Sequence, residues 1–207
     1  MQTVSMEKLE FEFHNSSAHK AAYLLLHGIR GGIHEEYTQA ILTRLKSRDE
    51  TVLAINFPYM SRGDDRNEVT NVDEEMKALQ TAYDFLKSAD KTPIHIIGKS
   101  FGAIVASHWF AQNIDDEDAD VSIMGYVTGE DNIFTEALRG RLRVVVQGDH
   151  DNYASPAEVR ADLAAHQIDA DVIEIPNADH SYRDINSSNL AEYAFQHIAI
   201  DELLKHI

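Results

Sequence analysis

Hydrophobic residues along the chain fall into strand-length runs that alternate with helical repeats. Residues 9–13, Leu-Glu-Phe-Glu-Phe, alternate apolar and acidic positions, which is the two-residue period of a half-buried edge strand. Further apolar runs have the length of buried strands: residues 21–26, 51–57, 93–97, 121–127, 143–147 and 171–175. The pattern therefore predicts an edge strand followed by a series of buried strands.

The segments between these runs carry apolar residues at every third or fourth position, the repeat of an amphipathic helix. The members of the two clearest repeats are Ile33, Tyr37, Ile41 and Leu45, and then Val72, Met76, Leu79, Tyr83 and Leu86. Because strands and helices alternate throughout, we expect a mainly parallel sheet covered on both faces. The predicted fold class is α/β, a three-layer α/β/α sandwich, in a single domain over residues 1–207, since no linker-like segment divides the chain.

Three helix starts carry chemical signals. Asn71 with Glu74, and Asn189 with Glu192, have the spacing of a capping box. The segment 155–158, Ser-Pro-Ala-Glu, adds a proline at the first helical position. We expect the last helix to run from about residue 190 to the end of the chain.

Composition narrows the function classes. The chain has 18 basic and 35 acidic residues, a net charge of −17, which argues against nucleic acid or an anionic membrane as a partner. It has no cysteine, which excludes a disulfide framework, a thiolate nucleophile and a cysteine zinc site. Residues 1–10 contain no apolar run of the kind found in a secretion signal, and no segment approaches the roughly 18 apolar residues of a membrane span. We therefore expect a cytoplasmic protein.

The most informative motif is residues 98–102, Gly-Lys-Ser-Phe-Gly, directly after the apolar run 93–97. A Gly-x-Ser-x-Gly turn between a buried strand and a helix is a nucleophile elbow, in which glycines allow a tight bend that exposes the serine hydroxyl. The next residues, 103–110, are apolar nearly all round, as in a buried helix. Ser100 is therefore the candidate nucleophile.

A serine nucleophile needs a histidine base, and the base needs an orienting acid. Asp149 and Asp151 both follow the strand-like run 143–147, and local geometry could present either one. We favour Asp151, which lies deeper in the loop, and expect Asp149 to orient the loop. His180 follows the last predicted strand, where the base is needed.

The glycine-rich loop after the run 21–26 is the candidate oxyanion site. Negative charge develops on the carbonyl oxygen during acyl transfer and is stabilised by two main-chain N–H groups. Phe101, the residue after the nucleophile, supplies one, and we assign the other to Ile29. We expect His27 to brace this loop rather than to take part in the chemistry. The loop matches no phosphate-binding glycine motif.

Together these segments resemble the α/β-hydrolase superfamily over most of the chain, and within it the small, nearly lidless branch related to dienelactone hydrolases. The matching motifs are residues 26–28, 56–60, 98–102, 147–151 and 179–181. The resemblance implies that Asp151 is the acid of the triad. Dienelactone hydrolases use a cysteine nucleophile, so their substrate is not implied here. Only 51 residues separate Ser100 from Asp151, and residues 128–141 have room for one short helix, so we expect a shallow, open pocket.

These residues predict a serine hydrolase that cleaves a small acyl ester through an acyl-enzyme, with no cofactor and no metal. Thioester hydrolysis, amide hydrolysis and perhydrolysis by the same triad remain alternatives, as does a non-catalytic binding module of the same fold. The sequence does not define the oligomeric state.

Substrate contacts are weakly defined. Tyr59 and Met60 are candidates, and four cations lie near the predicted site: Arg30, Arg62, Arg66 and Lys99. The cations favour a substrate with a carboxylate or phosphate. Alternatively, they are solvated or pair with nearby acids, namely Glu35, Asp64 and Asp65.

Overall fold

A seven-stranded sheet forms the centre of the computed structural model, which describes residues 6, 9–18, 20–66, 71–128, 134–186 and 194–207. Its strands are β1 (Phe11–His14), β2 (Ala22–Leu26), β3 (Thr51–Ile55), β4 (Ile94–Lys99), β5 (Ala119–Met124), β6 (Leu142–Gly148) and β7 (Asp171–Ile175). Their order across the sheet is β1-β3-β2-β4-β5-β6-β7. Only the edge strand β1 is antiparallel to its neighbour, so the prediction of a mainly parallel sheet is confirmed.

Helices cover both faces of the sheet. They are α1 (Glu36–Ser47), α2 (Pro58–Arg62), α3 (Asp73–Ser88), α4 (Phe101–Gln112), α5 (Pro156–Ala165) and α6 (Ala194–Leu203). Buried side chains of α3, α4 and α5 form one apolar cluster with the sheet, and those of α1 and α6 form a second cluster. The predicted three-layer sandwich is therefore confirmed.

Strand periodicity explains how one sheet supplies both clusters. In β2, Leu24 and Leu26 pack with the α3–α5 layer, whereas Leu25 packs with α1 and α6. All three are buried, and burial of each such side chain contributes about 1.5–3 kcal/mol. A strand that is apolar on both faces can lie only between two layers of helices.

Two helices begin later in the structure than the sequence pattern predicts. Ile33 lies ahead of α1, where its N–H donates to Asn56 Oδ1 over 2.8 Å, so it does not belong to the helical repeat. The capping box predicted at Asn71 is wrong: α3 has Val72 at its N-cap, without a side-chain cap. Asn71 has a φ of +55°, so its backbone is left-handed. The capping box at Ser155 and Glu158 is present, and the one predicted at Asn189 lies outside the described residues.

The carboxyl ends of β2, β4, β6 and β7 meet at one edge of the sheet, where ligands bind in open parallel sheets. In the described part of the segment 128–141, one 3₁₀ turn (Glu136–Leu138) precedes β6. Among the described residues, no helix has the length and apolarity that crossing a bilayer requires.

Candidate active site

Ser100 stands at the sharp turn between β4 and α4. It has φ 50° and ψ −111°, a strained conformation for a residue with a side chain. The flanking glycines do not take up the bend themselves, but provide space. A Cβ on Gly98 would lie 2.7 Å from the Cα of Ala103, and one on Gly102 would overlap the carbonyl oxygen of Leu26. Close packing of α4 against the strands therefore requires glycine at both positions.

The structure brings Ser100, His180 and Asp151 into one hydrogen-bonded chain. His180 Nε2 lies 2.9 Å from Ser100 Oγ, and His180 Nδ1 lies 2.7 Å from Asp151 Oδ2. A carboxylate only accepts hydrogen bonds, so Nδ1–H is the donor to Asp151. This tautomer leaves the Nε2 lone pair facing the serine hydroxyl, as a general base requires.

Asp151 is held in this position by its own loop. It is buried, and it accepts a hydrogen bond from Gln147 Nε2 over 2.8 Å and another from the N–H of Tyr153 over 2.8 Å. Asp149 instead lies against the neighbouring loop, where its Oδ1 accepts from the N–H of Ala178 over 3.2 Å. Partial burial acts to raise the pKa of Asp149, but the hydrogen bond from His150, together with main-chain hydrogen bonds from Asn177 and Ala178, holds it below its usual range.

The surroundings of His180 favour its neutral form. Burial and the nearby Lys99 ammonium lower the pKa of His180 below the ordinary 6.5, although the hydrogen bond to Asp151 opposes them. A neutral imidazole can accept the proton of Ser100, so the pKa shift favours the base role at neutral pH.

The two N–H groups predicted to bind the oxyanion are available. Neither the N–H of Ile29 nor that of Phe101 donates to another residue in the described part of the chain. His27 braces the loop that carries Ile29: its Nε2 accepts from the N–H of Phe57 over 3.0 Å, so Nδ1–H donates to the carbonyl oxygen of Gly28 over 2.6 Å. Burial lowers the pKa of His27 to about 4, so the ring stays neutral.

An open cavity of about 700 Å³ lies over Ser100 and His180. Ile29, Phe101, Arg30 and Lys99 all line it. Tyr59 and Met60 do not. The Tyr59 hydroxyl instead donates to the carbonyl oxygen of Ile29 over 2.8 Å, which supports the loop that carries Ile29.

The four cations near the site have different partners. Arg62 pairs with Asp64 and Glu74, outside the cavity, as the alternative interpretation of the sequence suggested. Arg66 pairs with the buried Glu75. Arg66, Arg30 and Lys99 all line the cavity; Arg30 is exposed and forms no ion pair with a described residue.

Sequence reasoning missed three residues that shape the site. Tyr153, 52% exposed, packs its ring against the His180 imidazole with centroids 4.5 Å apart. Gln147 joins Asp151 to Ala154 through its amide. Gly125, with φ +67°, follows β5 beside the His180 ring. Gln147 belongs to a matched motif, but nothing in the sequence indicates that Tyr153 or Gly125 contacts His180.

Comparisons with known proteins agree with this fold. A family model described as an alpha/beta hydrolase domain matches residues 19–207. An alpha/beta hydrolase of unknown function from Agrobacterium tumefaciens superposes with a TM-score of 0.70 at 18% identity, covering 95% of this chain and 87% of that one. A serine hydrolase without a lid from Xanthomonas campestris gives 0.67 at 16% identity, covering 94% and 83%. Est1E from Butyrivibrio proteoclasticus, with ferulic acid bound, gives 0.68 at 13% identity, covering 96% and 95%. No curated protein matches the chain in sequence.

Proposed function

Because the chain belongs to the alpha/beta hydrolase family, we propose that it is a serine hydrolase that cleaves small acyl esters. The observation that carries this proposal is the hydrogen-bonded chain from Asp151 through His180 to Ser100, which opens into the cavity. Asp151 fixes the tautomer of the imidazole, and His180 activates the serine hydroxyl.

In the proposed reaction, Ser100 Oγ attacks the acyl carbonyl carbon while His180 Nε2 takes the hydroxyl proton. The N–H groups of Ile29 and Phe101 bind the oxygen that becomes negative. Collapse of this intermediate releases the alcohol, which takes the proton from His180. Water then attacks the acyl-enzyme with His180 again as base, which frees the carboxylic acid and restores Ser100.

Because the cavity is open, it favours a small substrate that enters directly from solvent. The described part of the segment before β6 holds only one 3₁₀ turn, which cannot cover the cavity as a large lid would. The similarity to a serine hydrolase described as lidless supports the same interpretation.

The test of this proposal is Ser100→Ala, with Ser61→Ala as the matched control. Ser61 is an exposed serine of α2 and does not line the cavity. We expect Ser100→Ala to lose 4-nitrophenyl acetate hydrolysis and fluorophosphonate labelling by at least about a thousandfold, with unchanged far-UV circular dichroism. Labelling of Ser100→Ala at the wild-type rate would contradict the assignment. Absence of labelling and hydrolysis in the wild type would favour a non-catalytic binding module.

We further propose that Arg30 contacts an acidic group on the acyl part of the substrate. Arg30 follows Ile29 directly, lines the cavity and has no ion-pair partner among the described residues. In a protein with net charge −17, a cation left without such a partner beside the oxyanion loop favours an anionic ligand.

A pair of esters tests this preference. The 4-nitrophenyl esters of butyric acid and of succinic acid (as the monoester) share a leaving group and differ in one carboxylate. We expect Arg30→Gln to lower the succinyl-to-butyryl ratio of kcat/KM about fivefold, because an exposed ion pair contributes up to about 1 kcal/mol. Lys77→Gln, in the exposed middle of α3, is the control and leaves the ratio unchanged. An equal ratio in wild type and Arg30→Gln would exclude this role.

A further inference from the structure

Lys99 links the nucleophile turn directly to the loop of the catalytic histidine. It is the last residue of β4 and precedes Ser100 in the chain. Its Nζ donates a hydrogen bond over 2.7 Å to the main-chain carbonyl oxygen of His180. The side chain next to the nucleophile therefore holds the backbone of the base, across 81 residues of sequence.

Gly125 provides the space for this contact. A Cβ at position 125 would lie 2.5 Å from Lys99 Nζ and 3.0 Å from His180 Cε1. Lys99 Nζ and the His180 ring therefore occupy the space that the side chain of any residue other than glycine would need at position 125. The positive φ of Gly125, +67°, also favours glycine at this position.

Charged and aromatic groups surround the Lys99 ammonium. The carboxylates of Asp151, Glu35 and Asp179 act on it, and the Tyr182 ring centroid lies 5.3 Å from Nζ. Burial lowers the pKa of Lys99 to about 8 against the pull of these carboxylates, so the group is still mostly protonated at neutral pH.

The same charge acts on the imidazole of His180. Besides Lys99, the groups that face this ring are Ser100 Oγ, the carboxylates of Asp151 and Asp179, and the ring of Tyr153. The two carboxylates favour a protonated ring. Lys99 is the neighbouring charge that opposes them.

We propose that Lys99 is a positioning residue, which ties the main chain of His180 to the nucleophile turn and whose positive charge disfavours a protonated imidazole. This inference rests on the proposed function of Ser100 and His180. The ammonium donates to the His180 carbonyl oxygen, so in this role Lys99 acts through the base.

The experiment is the pH profile of kcat/KM for 4-nitrophenyl acetate in wild type, Lys99→Met and Lys99→Gln. Both variants lose the positive charge, whereas the glutamine retains an N–H donor. Removing a like charge next to a histidine raises its pKa. We therefore expect the acid limb to move to higher pH by about one unit in both variants.

Lys99→Arg and Lys77→Met serve as controls. The arginine retains both charge and donor, and its acid limb should stay near that of the wild type. Lys77 is exposed on α3, away from the cavity, and Lys77→Met should leave the whole profile unchanged.

The outcomes separate this inference from the proposed function. Hydrolysis that is lost in Ser100→Ala establishes the function independently of Lys99. If Lys99→Met and Lys99→Gln then lower the rate equally at every pH without moving the acid limb, Lys99 is merely structural and the inference is overturned. Lys99→Gln, checked by thermal unfolding, keeps the test decisive if Lys99→Met does not fold.

Discussion

His27 is the residue whose burial has the clearest consequence for stability. Both of its ring nitrogens are hydrogen-bonded within the protein, and burial lowers its pKa to about 4. The unfolded histidine binds a proton below its ordinary pKa of 6.5, whereas the folded one stays neutral down to about 4. Protons therefore favour the unfolded state, and roughly 3 kcal/mol of stability should be lost as the pH falls through this window.

Urea unfolding of wild type, His27→Asn and His108→Asn at several pH values between 7 and 4 measures this effect. His108 is an exposed histidine of α4 and serves as the matched control. We expect the free energy of unfolding to fall less steeply with decreasing pH in His27→Asn than in wild type, although the variant is less stable at pH 7 because it loses the brace. Equal slopes in all three proteins would contradict this account.

The sequence predicted individual site residues best where each residue directly follows a predicted strand. Ser100 and His180 could be predicted because a serine turn and a later histidine each follow a strand. The choice between Asp149 and Asp151 depended on resemblance as well as on residues, since both follow the same strand. The contacts of Gln147 and Tyr153 with Asp151 decide which carboxylate reaches His180. The hydrophobic periodicity of the sequence does not reveal these contacts.

The capping box at the start of α5 predicts how much one helix end contributes to stability. The Ser155 hydroxyl accepts from the N–H of Glu158, and the Glu158 carboxylate accepts from the N–H of Ser155 over 2.7 Å. Ser155→Ala removes the hydroxyl that accepts from the N–H of Glu158, so the free energy of unfolding should fall by about 1 kcal/mol. Ser47→Ala, at the exposed last turn of α1, is the control and should change it by only a few tenths of a kcal/mol. Equal effects of the two substitutions in denaturant unfolding would exclude a capping role.

Strands could be predicted from sequence better than helix starts, for a physical reason. A strand buried on both faces is apolar at most positions, so β3 and β4 are visible as largely apolar runs. A helix start depends on the backbone conformation of one or two residues. Asn71 has suitable side-chain chemistry for a cap, and its Oδ1 lies 3.5 Å from the N atom of Asp73, but its backbone is left-handed and the N-cap residue is Val72.

For the whole molecule, the alternation of elements predicts a layered α/β fold, but not the order of strands in the sheet. The observed order places β4 between β2 and β5. Ser100 therefore follows a strand within the sheet, with the loop of Ile29 after β2 on one side and Gly125 after β5 on the other. The space beside Gly125 that Lys99 occupies is formed by these neighbouring strands. It could therefore not be inferred from residues 98–102 alone.

Buried tyrosines determine how the molecule as a whole responds to alkali. Burial raises the pKa of Tyr37 and Tyr182 well above 10, and their stacked rings lie 6.2 Å apart between the sheet and its α1–α6 layer. Burial also raises the pKa of other tyrosines, among them Tyr59, Tyr83 and Tyr126. Their contribution to stability is complete below the ordinary pKa of about 10, where folded and unfolded phenols are both protonated. Above it the unfolded chain releases protons that the folded chain retains, so stability falls as the pH rises.

We therefore expect the buried phenols to ionise together with unfolding rather than one by one. The part of the tyrosinate absorbance at 295 nm that comes from the buried phenols should rise in one cooperative step above pH 10, at the same pH at which the circular dichroism at 222 nm is lost. Tyr37→Phe removes one buried phenol and should move this step to higher pH, because fewer protons are then released on unfolding. A complete rise in absorbance centred near pH 10 with unchanged circular dichroism would mean that these phenols ionise in the folded protein, which is incompatible with their burial between the sheet and its helices.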